Sequence, residues 1–463
     1  MIDLLSERAG GRVVAVNDEF FAPAENLIKV AAPIANDQYT DRGKWMDGWE
    51  SRRRRDPGHD WCVLELGIPG RIESVTVDTS HFTGNYPEAF SLDASPGDEV
   101  WSEAMAMTPL EGDSIATFDI DFDRRVLFVR LNIYPDGGVA RLRVEGSPIP
   151  DMRAVCPGGP ADLASAIVGG TWLDASNYHY SPPSNLLLPT DSAGMWDGWE
   201  TKRRRGPGFD WATFRLGLRG MVESVLVDTT HFKGNSPGWV SFDTSEDGDT
   251  WSTVVDHVAV AADSLNPIGL PEPVPASHVR LSLHPDGGVA RMRVLGRPDA
   301  EAAGAVRLEY LNSLFDEAAA GFFHTACASS KWVEMMLNQR PYESVIAVLE
   351  STESGFDQLE ADDWLEAFAG HPRIGESGDD RSSREQVGAI GHETELAAVN
   401  AEYQERFGFI FIVYASGKTG EEMIGIARER LLNAREEEIV NASVEQRQIT
   451  RTRLLQMLCQ EER

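Results

Sequence analysis

Carboxylate, imidazole and amide side chains recur in this chain at matched spacings. An aspartate is followed three positions later by a histidine and four positions after that by an asparagine, and a glutamate and another aspartate precede them, each beside a tryptophan. Such side chains can transfer protons or bind a metal ion, and a neighbouring basic run can hold a carboxylate. The two sets are Glu50, Asp60, Asp78, His81 and Asn85, and Glu200, Asp210, Asp228, His231 and Asn235.

The same residues also admit a structural interpretation, because duplicated domains keep tryptophan and glycine for packing and pair arginine with aspartate to hold loops. A bound metal ion is a further alternative. Aspartate and histidine three positions apart on a strand point to opposite faces, so a metal site at 78–81 or 228–231 requires a bend there. A third ligand is not evident in the sequence, and the metal requirement of this region is left unknown.

These residues belong to a tandem duplication. Three long segments of the first copy return in the second at an offset of 150 positions, without net insertion between them. Further upstream the offset is 159, because the first copy has nine additional residues before its Trp-rich segment. The paired segments are 46–61 and 196–211, 77–85 and 227–235, and 132–146 and 282–296.

Hydrophobic periodicity separates the chain into β-rich and helical parts. Short β-branched runs with period two, divided by turns such as Pro-Asp-Gly-Gly, predict an antiparallel β-sandwich in each copy. From about residue 305 the period is helical, as over 306–323 and 393–407, with Gly408 and Thr419–Glu422 as helix-cap signals. The predicted organisation is multidomain: sandwiches at 1–150 and 151–300, a linker at 296–304, and an all-α domain at 301–463.

The helical domain contains one further candidate for proton transfer, His371. It follows a predicted apolar helix and is held by Pro372, so it can project into a pocket, although histidines at helix ends also serve as caps or surface residues. Ser383, Glu385 and Gln386 add hydroxyl, carboxylate and amide groups in the polar stretch that follows.

The composition limits the classes of partner. The formal net charge is −32, from 74 acidic and 42 basic residues. This charge opposes binding to nucleic acid or to an anionic membrane, and an anionic small substrate requires local arginines, as at 52–55 and 203–205. We expect no signal peptide and no membrane segment, since no apolar run approaches about 20 residues. Four scattered cysteines without a CxxC motif indicate reduced thiols and a cytoplasmic protein.

The motifs shared by the two copies resemble allantoicase over about residues 10–297. These motifs are DGWE with its basic run and following DW, VDT[ST]HFxGN, and PDGGVAR[LM]RV. The resemblance implies two jelly-roll or galactose-binding-like repeats that hydrolyse allantoate to ureidoglycolate and urea. It leaves open which copy is active and whether one site is shared. We expect His81 and His231 to act as acid and base, Asp78 and Asp228 to orient them, and six residues to contact substrate: Glu50, Glu200, Asp60, Asp210, Asn85 and Asn235.

Residues of about 305–460 resemble OHCU decarboxylase, the enzyme that converts 2-oxo-4-hydroxy-4-carboxy-5-ureidoimidazoline (OHCU) to (S)-allantoin. The resemblance rests on segments 311–317, 327–342, 363–376, 383–386 and 400–413. It implies an all-helical fold, no required cofactor, His371 as the catalytic histidine and Glu385 as its acidic partner. Substrate contacts would come from Pro372, Ser383 and Gln386, and from the backbone of Phe409, Ile410, Phe411, Ile412 and Val413.

Two local features qualify this second resemblance. The stretch between His371 and Ser383 is short for the family. The run FIFIVYA at 409–415 looks like a strand on its local pattern, but in the family it would be an extended segment that lines the pocket.

Together the two resemblances predict a bifunctional enzyme of purine catabolism that acts on small ureido substrates. We also expect a homo-oligomer. The alternative hypothesis is an OHCU decarboxylase that carries the sandwiches as a non-catalytic ligand- or carbohydrate-binding module, because sandwiches of this architecture often bind without reacting.

Overall fold

The computed structural model describes residues 2–97, 100–371 and 391–459. The chain divides into two compact units, with the boundary between Ser313 and Leu314. The first unit contains both sequence repeats and is rich in β-strands, and the second is helical. The predicted fold class, two galactose-binding-like sandwiches followed by an all-α part, is confirmed.

The first repeat is antiparallel throughout its main sheet. That sheet runs in the order β1, β12, β6, β10, β7, β8, and β2 and β9 also pair with β6. Its strands are β1 (Ile2–Asp3), β2 (Arg12–Val16), β3 (Tyr39–Thr40), β4 (Gly43–Lys44), β5 (Trp49–Glu50), β6 (Asp60–Asp78), β7 (Ala89–Ser95), β8 (Ser102–Pro109), β9 (Ile115–Asp119), β10 (Val126–Tyr134), β11 (Gly138–Val139) and β12 (Arg141–Pro148).

The second repeat follows a short helix and repeats this order as β13, β21, β16, β19, β17, β18, with β14 also paired to β16. One strand, β19, covers the region in which the first copy has both β9 and β10. The elements are α1 (Met152–Val155), β13 (Ala161–Asp162), β14 (Thr171–Ala175), β15 (Trp199–Glu200), β16 (Asp210–Asp228), β17 (Trp239–Ser245), β18 (Ser252–Ala259), β19 (Leu265–His284), β20 (Gly288–Val289) and β21 (Arg291–Pro298).

One long strand in each repeat joins the two layers of the sandwich. In the first repeat, residues 60–65 of β6 pair with β10 and β2, and residues 70–78 pair with β12 and β9. Buried and partly exposed residues alternate along most of its length, as expected for a strand with one face on the core. Because β6 begins at Asp60 and ends at Asp78, it places two of the predicted site residues at opposite ends of one strand.

The nine additional residues of the first copy form a small hairpin. Strands β3 and β4 pair through Tyr39 with Lys44 and Thr40 with Gly43. The hairpin lies between Ile34 and Asp47, where the offset between the copies changes from 159 to 150. The insertion therefore extends an exposed loop, with Tyr39 77% exposed, and leaves the sandwich strands unchanged.

A helix that the sequence assigns to the helical domain belongs to the first unit instead. Helix α2 (Ala300–Ser313) begins two residues after β21, so residues 296–304 are not a linker, contrary to the prediction. Glu309 accepts a hydrogen bond of 2.5 Å from Arg71, and the Ser313 carbonyl accepts one of 2.8 Å from the Arg125 amide. These contacts hold α2 on the first repeat, while the three-domain division with a boundary at 300 stays a prediction.

The second unit is helical over its described residues. Its helices are α3 (Asp316–Ala326), α4 (Ser330–Asn338), α5 (Val345–Phe356), α6 (Ala361–Ala369), α7 (Glu393–Phe407), α8 (Gly420–Arg430) and α9 (Arg435–Cys459). The predicted caps are confirmed: Gly408 ends α7 with a φ of 83°, and Thr419 and Glu422 form a capping box on α8. The continuous helix predicted for 306–323 is wrong, because Phe315 has an extended backbone that separates α2 from α3.

The strand-like pattern at 409–415 does not form a strand. These residues have no regular secondary structure and pair with no strand in the described part of the chain. Phe409, Phe411 and Ile412 are buried. In an all-helical surrounding the β-branched and aromatic run is explained by burial between helices, which periodicity alone does not distinguish from a sheet.

No helix among the described residues is long and apolar enough to span a bilayer.

Glycine at 138 is required by a close approach to an aromatic ring. A Cβ atom on Gly138 would lie 1.9 Å from the ring of Phe82, which is fully buried. We expect Gly138→Ala to lower the free energy of unfolding by about 1–3 kcal/mol, because the ring and strand must move. Gly84→Ala is the matched control, since a Cβ there meets nothing within 4 Å. Equal denaturation midpoints for both variants, followed by tryptophan fluorescence in urea, would contradict this packing.

Candidate functional site

The predicted histidines of the sandwiches lie on strained turns directly after the long strands. His81 has a φ of 72° and His231 a φ of 73°, in the left-handed region that is uncommon for residues other than glycine. A carboxylate fixes each turn: the His81 amide donates to Asp113 Oδ1 at 2.7 Å and the His231 amide to Asp263 Oδ1 at 2.8 Å. The bend that the sequence required between aspartate and histidine is therefore present in both copies.

A loop carbonyl orients each of these histidines. His81 Nε2 lies 3.2 Å from the Pro33 carbonyl and His231 Nε2 lies 2.8 Å from the Ser192 carbonyl. Since a carbonyl only accepts, Nε2 carries the hydrogen and Nδ1 is left as the basic nitrogen.

The predicted orienting aspartates have other hydrogen bonds. Asp78 and Asp228 each accept the amide two residues ahead, from Ser80 and Thr230, at 2.8 Å. Asp78 forms no hydrogen bond with His81, and Asp228 forms none with His231, all four being described residues. The orienting role of the two aspartates stays a prediction.

The predicted glutamate and asparagine of each repeat are in direct contact. Asn85 Nδ2 donates to Glu50 Oε1 at 2.7 Å, and Asn235 Nδ2 donates to Glu200 Oε1 at the same distance. Burial raises the pKa of Glu50, and the hydrogen bond from Asn85 only partly offsets this effect. A carboxyl group in such a position can hold a proton or accept an N–H group of a ureido substrate.

The predicted aspartates Asp60 and Asp210 are buried and paired with arginines of the basic runs. Arg54 Nη1 donates to Asp60 Oδ1 at 2.5 Å, and Arg204 Nη2 donates to Asp210 Oδ1. Asp60 and Asp210 are 1% and 0% exposed, so they hold the loop rather than face solvent.

Other arginines of the same loops are exposed. Within the described ranges they form no ion pair, and they can therefore receive a substrate carboxylate. They are Arg53, Arg55, Arg203 and Arg205.

A buried arginine–aspartate pair that the sequence interpretation missed lies behind each histidine loop. In the first repeat Arg141 Nη2 lies 2.8 Å from Asp47 Oδ2, and the Ile34 amide donates to the same carboxylate oxygen at 3.1 Å. Ile34 directly follows Pro33, whose carbonyl meets His81. Both members of the pair lie inside the repeated motifs DGWE and PDGGVAR, which was the available signal.

The copies differ at one polar cluster. In the second repeat His284 Nε2 lies 2.9 Å from Ser241 Oγ, and the rings of His284 and His257 are 4.0 Å apart. Burial, followed by the neighbouring His257, lowers the pKa of His284. In the first repeat the Tyr134 hydroxyl bonds Ser91 at 3.0 Å instead. The tyrosine-to-histidine difference therefore changes the titratable groups on one sandwich face.

His371 in the helical unit is held by a polar row of α9. Its Nε2 lies 2.6 Å from Gln446 Oε1, and Gln446 Nε2 donates to Thr450 Oγ1 at 3.1 Å. Burial raises the pKa of Cys327 to about 11, an effect opposed by a hydrogen bond with Thr450 and by Arg453. Gln446, Thr450 and Arg453 thus share one face of α9 near His371.

The sequence interpretation missed this row of α9. The sequence feature that could have revealed it is the spacing of Gln446, Thr450 and Arg453, four and then three positions apart, which places them on one face of a helix. Other predicted residues of this site cannot be placed: Pro372, Ser383, Glu385 and Gln386 lie outside the described residues.

Buried side chains hold in place the predicted backbone segment of Phe409, Ile410, Phe411, Ile412 and Val413. The Phe411 amide donates to Asn400 Oδ1 at 2.8 Å, and the Ile412 carbonyl accepts from Arg430 Nη1 at 2.9 Å. Arg430 is itself fixed by Glu438, at 2.7 Å between Nε and Oε1. This network explains how a segment without a sheet partner keeps one conformation.

Among the described residues, no group of three or more His, Cys, Asp or Glu side chains is placed to hold a metal ion.

Comparison with known proteins identifies both parts of the chain. The family profile of the allantoicase repeat matches residues 2–149 and 161–299. The chain belongs to the allantoicase family. A probable allantoicase of Pseudomonas paraeruginosa is 45% identical over 323 residues, covering 64% of this chain and 96% of the relative. A probable allantoicase of Rhizobium meliloti is 42% identical over 320 residues, covering 64% of this chain and 94% of the relative.

A solved structure supports the allantoicase assignment, and a second family profile matches the rest of the chain. The crystal structure of allantoicase from Saccharomyces cerevisiae superposes with a TM-score of 0.55 at 33% identity, covering 64% of this chain and 93% of the yeast chain. The family profile of OHCU decarboxylase matches residues 312–455. An allantoicase region is therefore followed by an OHCU decarboxylase region, a cofactor-independent family, and the predicted family membership of both parts is confirmed.

The raised pKa of Glu50 predicts a pH-dependent effect of Glu50→Gln. A carboxyl whose pKa is higher in the folded than in the unfolded chain binds its proton more tightly when folded, so that contribution to stability is present at low pH and lost as pH rises through the folded pKa. Glutamine does not ionise but still accepts from Asn85. We expect urea denaturation to give Glu50→Gln a higher free energy of unfolding than the native chain at pH 7, with the difference shrinking toward pH 4.

The Asn85→Ala background serves as the internal control for this prediction. It removes the hydrogen bond that lowers the pKa of Glu50, so the pH dependence of the Glu50→Gln effect should become larger there. A stability difference that does not change with pH would contradict the proposed effect of burial.

The contact between His371 and Gln446 predicts a loss of decarboxylation in Gln446→Ala. Without the amide oxygen the Nε2 hydrogen has no fixed acceptor, and a misplaced proton donor costs on the order of 100-fold in rate. We expect kcat for CO₂ release from OHCU to fall by roughly 10- to 100-fold. Gln448→Ala, an exposed residue of the same helix, is the matched control and should retain activity. Equal rates in the two variants would refute the positioning role.

Proposed function

We propose that this chain catalyses two reactions of purine catabolism. The sandwich unit would hydrolyse allantoate to ureidoglycolate and urea, and the helical unit would decarboxylate OHCU to (S)-allantoin. The observation that carries the first activity is the occurrence, in both repeats, of a fixed histidine, a glutamate–asparagine pair and exposed arginines. The observation that carries the second is His371 held by an amide at the end of α6.

Allantoate hydrolysis places three demands on a site. The substrate carboxylate needs a cation, which the exposed arginines of the basic loops supply. The ureido groups need donors and acceptors, for which we propose Glu50 with Asn85 and Glu200 with Asn235. Water must lose a proton as its oxygen bonds the central carbon, and the departing urea nitrogen must gain one. We assign these proton transfers to His81 and His231 through Nδ1, with Asp78 and Asp228 as their orienting partners and with Asp60 and Asp210 supporting the surrounding loops.

Decarboxylation of OHCU requires a place for the electron pair left by departing CO₂ and a proton for the carbon. The ring imine of the substrate accepts the electrons, so no cofactor is needed, and His371 delivers the proton. We propose Glu385 as the acidic partner of His371, with Pro372, Ser383, Gln386 and the backbone of 409–413 as substrate contacts. The burial of this segment and the hydrogen bond from its Phe411 amide to Asn400 support a fixed backbone there.

The two proposed activities are separated by one step. Allantoin made by the helical unit must have its ring opened before it becomes allantoate. The intermediate therefore leaves this chain, and the fusion does not require direct transfer between the units.

We further propose a cytoplasmic homo-oligomer. The four cysteines are all present as free thiols, which suits a reducing compartment. Light scattering coupled to size-exclusion chromatography of the full chain measures the oligomeric state, and a monomer at micromolar concentration would contradict the second part of this proposal.

Separate sites predict separable activities in the full chain. We expect His371→Ala to abolish CO₂ release from OHCU and to leave urea release from allantoate unchanged. The double variant His81→Ala/His231→Ala should show the reverse, with a loss of about 100-fold or more in urea release, as for removal of a general acid–base group. Loss of both activities in either folded variant would refute independence of the units.

The same assay decides between the hydrolase and the alternative of a non-catalytic binding module. A folded native chain that releases CO₂ from OHCU but no urea from allantoate would make the sandwiches a binding module and would overturn the first activity.

A further inference from the structure

The second repeat holds its histidine loop in the same way as the first. Arg291 Nη2 lies 2.9 Å from Asp197 Oδ2, and the Ala193 amide donates to that oxygen at 3.0 Å. The preceding residue, Ser192, offers its carbonyl to His231. The buried carboxylate thus fixes the loop, and the loop carbonyl fixes the histidine.

The second cation on this carboxylate differs between the copies. In the first repeat Lys29 Nζ lies 3.8 Å from Asp47 Oδ1 and comes from the same copy. The position equivalent to Lys29 in the second repeat is Leu188, which carries no charge. There the cation is Arg8 of the first repeat, with Nε 3.1 Å from Asp197 Oδ1.

Arg8 is held in this position by several further contacts with the second repeat. Its guanidinium lies 4.6 Å from the ring centre of Trp196, and its backbone carbonyl accepts from Thr190 Oγ1 at 2.6 Å. The side chain of Arg8 is 19% exposed and that of Asp197 is 2% exposed, so solvent screens the pair weakly. The position equivalent to Arg8 in the second repeat is Ile167, which carries no charge and cannot form a reciprocal ion pair.

We propose that Arg8 is a positioning residue for His231, so that the histidine site of the second repeat is built by both copies. The path runs from Arg8 to Asp197, from Asp197 to the Ala193 amide, and from the Ser192 carbonyl to His231 Nε2. This inference rests on the proposed acid–base role of His231. In the first repeat, the ion pairs of Asp47 recorded among the described residues are with Lys29 and Arg141 of the same copy.

The tautomer of His231 tests this path without reference to catalysis. The Ser192 carbonyl holds the hydrogen on Nε2, so nitrogen NMR of histidine-labelled full-length protein, assigned with His231→Gln, should show a single Nε2–H tautomer. In Arg8→Ala the loop is released, and we expect a mixture of tautomers at His231 with no change at His81. Lys29→Ala should produce the converse, and Arg12→Ala, which removes an exposed arginine paired with Glu65, should change neither.

The kinetic arm uses urea release from allantoate. In the His81→Ala background, in which His231 is the remaining acid–base histidine of the two repeats, we expect Arg8→Ala to lower kcat by roughly 10- to 100-fold with little change in KM, because the histidine is misplaced while the arginines that bind the carboxylate remain. Arg8→Lys keeps a cation near Asp197 and should restore part of the rate. Thermal unfolding of each variant identifies any loss that is due to unfolding, and Arg8→Lys then provides the comparison in a folded protein.

The outcomes separate this inference from the proposed function. An unchanged His231 tautomer in folded Arg8→Ala overturns the positioning role, whatever the activity. A changed tautomer with unchanged urea release keeps the structural path but overturns the role of Arg8 in catalysis. If the native chain releases no urea at all, the hydrolase function fails, and the NMR comparison still decides whether Arg8 orders the second site.

Discussion

A buried ion pair in each sandwich determines where the candidate catalytic groups lie. Arg141 donates to the carboxylate and the carbonyl of Asp47 and to the carbonyls of Ala31 and Ala140, at 2.7–2.9 Å. Removing two charges from water is costly, and the cost is offset only when all their hydrogen-bonding groups are used in this way. Loss of one partner would leave an uncompensated buried charge, at a cost of about 3–5 kcal/mol. The loop that meets His81 depends on this pair.

Duplication preserved this arrangement and then allowed the two copies to diverge around it. Arg291 and Asp197 repeat the buried pair. The second cation is a lysine of the same copy in the first repeat and an arginine of the other copy in the second, and Tyr134 of the first repeat corresponds to His284 in the second. Because the cores of the two sandwiches form one continuous apolar cluster, the copies are already fixed against each other, and a contact such as that of Arg8 requires little further ordering. A rigid pair of domains thus permits a site shared between them.

The fold and the family could be predicted from the sequence because both depend on long-range repetition and local periodicity. The pairing of Glu50 with Asn85 was within reach for the same reason, since both residues recur at a fixed offset. The partner of His81 was not. Any residue can supply a backbone carbonyl, so the sequence does not mark Pro33 as the partner of His81. The residue types point instead to Asp78, whose carboxylate accepts the Ser80 amide in the turn that follows. The strand expected at 409–415 failed for a related reason, because burial between helices and pairing in a sheet select the same apolar residues.

The two units solve the same chemical problem with different elements. Each must hold a histidine ring in one orientation, and each does so by giving Nε2 a fixed acceptor. In the sandwiches the acceptor is a carbonyl on a loop, so its position depends on the buried ion pair beneath that loop. In the helical unit it is the amide of Gln446, a side chain fully buried on a long helix. The sandwich sites are therefore sensitive to distant charges such as Arg8, whereas His371 depends on the packing of α9. The net charge of −32 opposes the approach of an anionic substrate, and the exposed arginines of the basic loops are the groups proposed to bind its carboxylate.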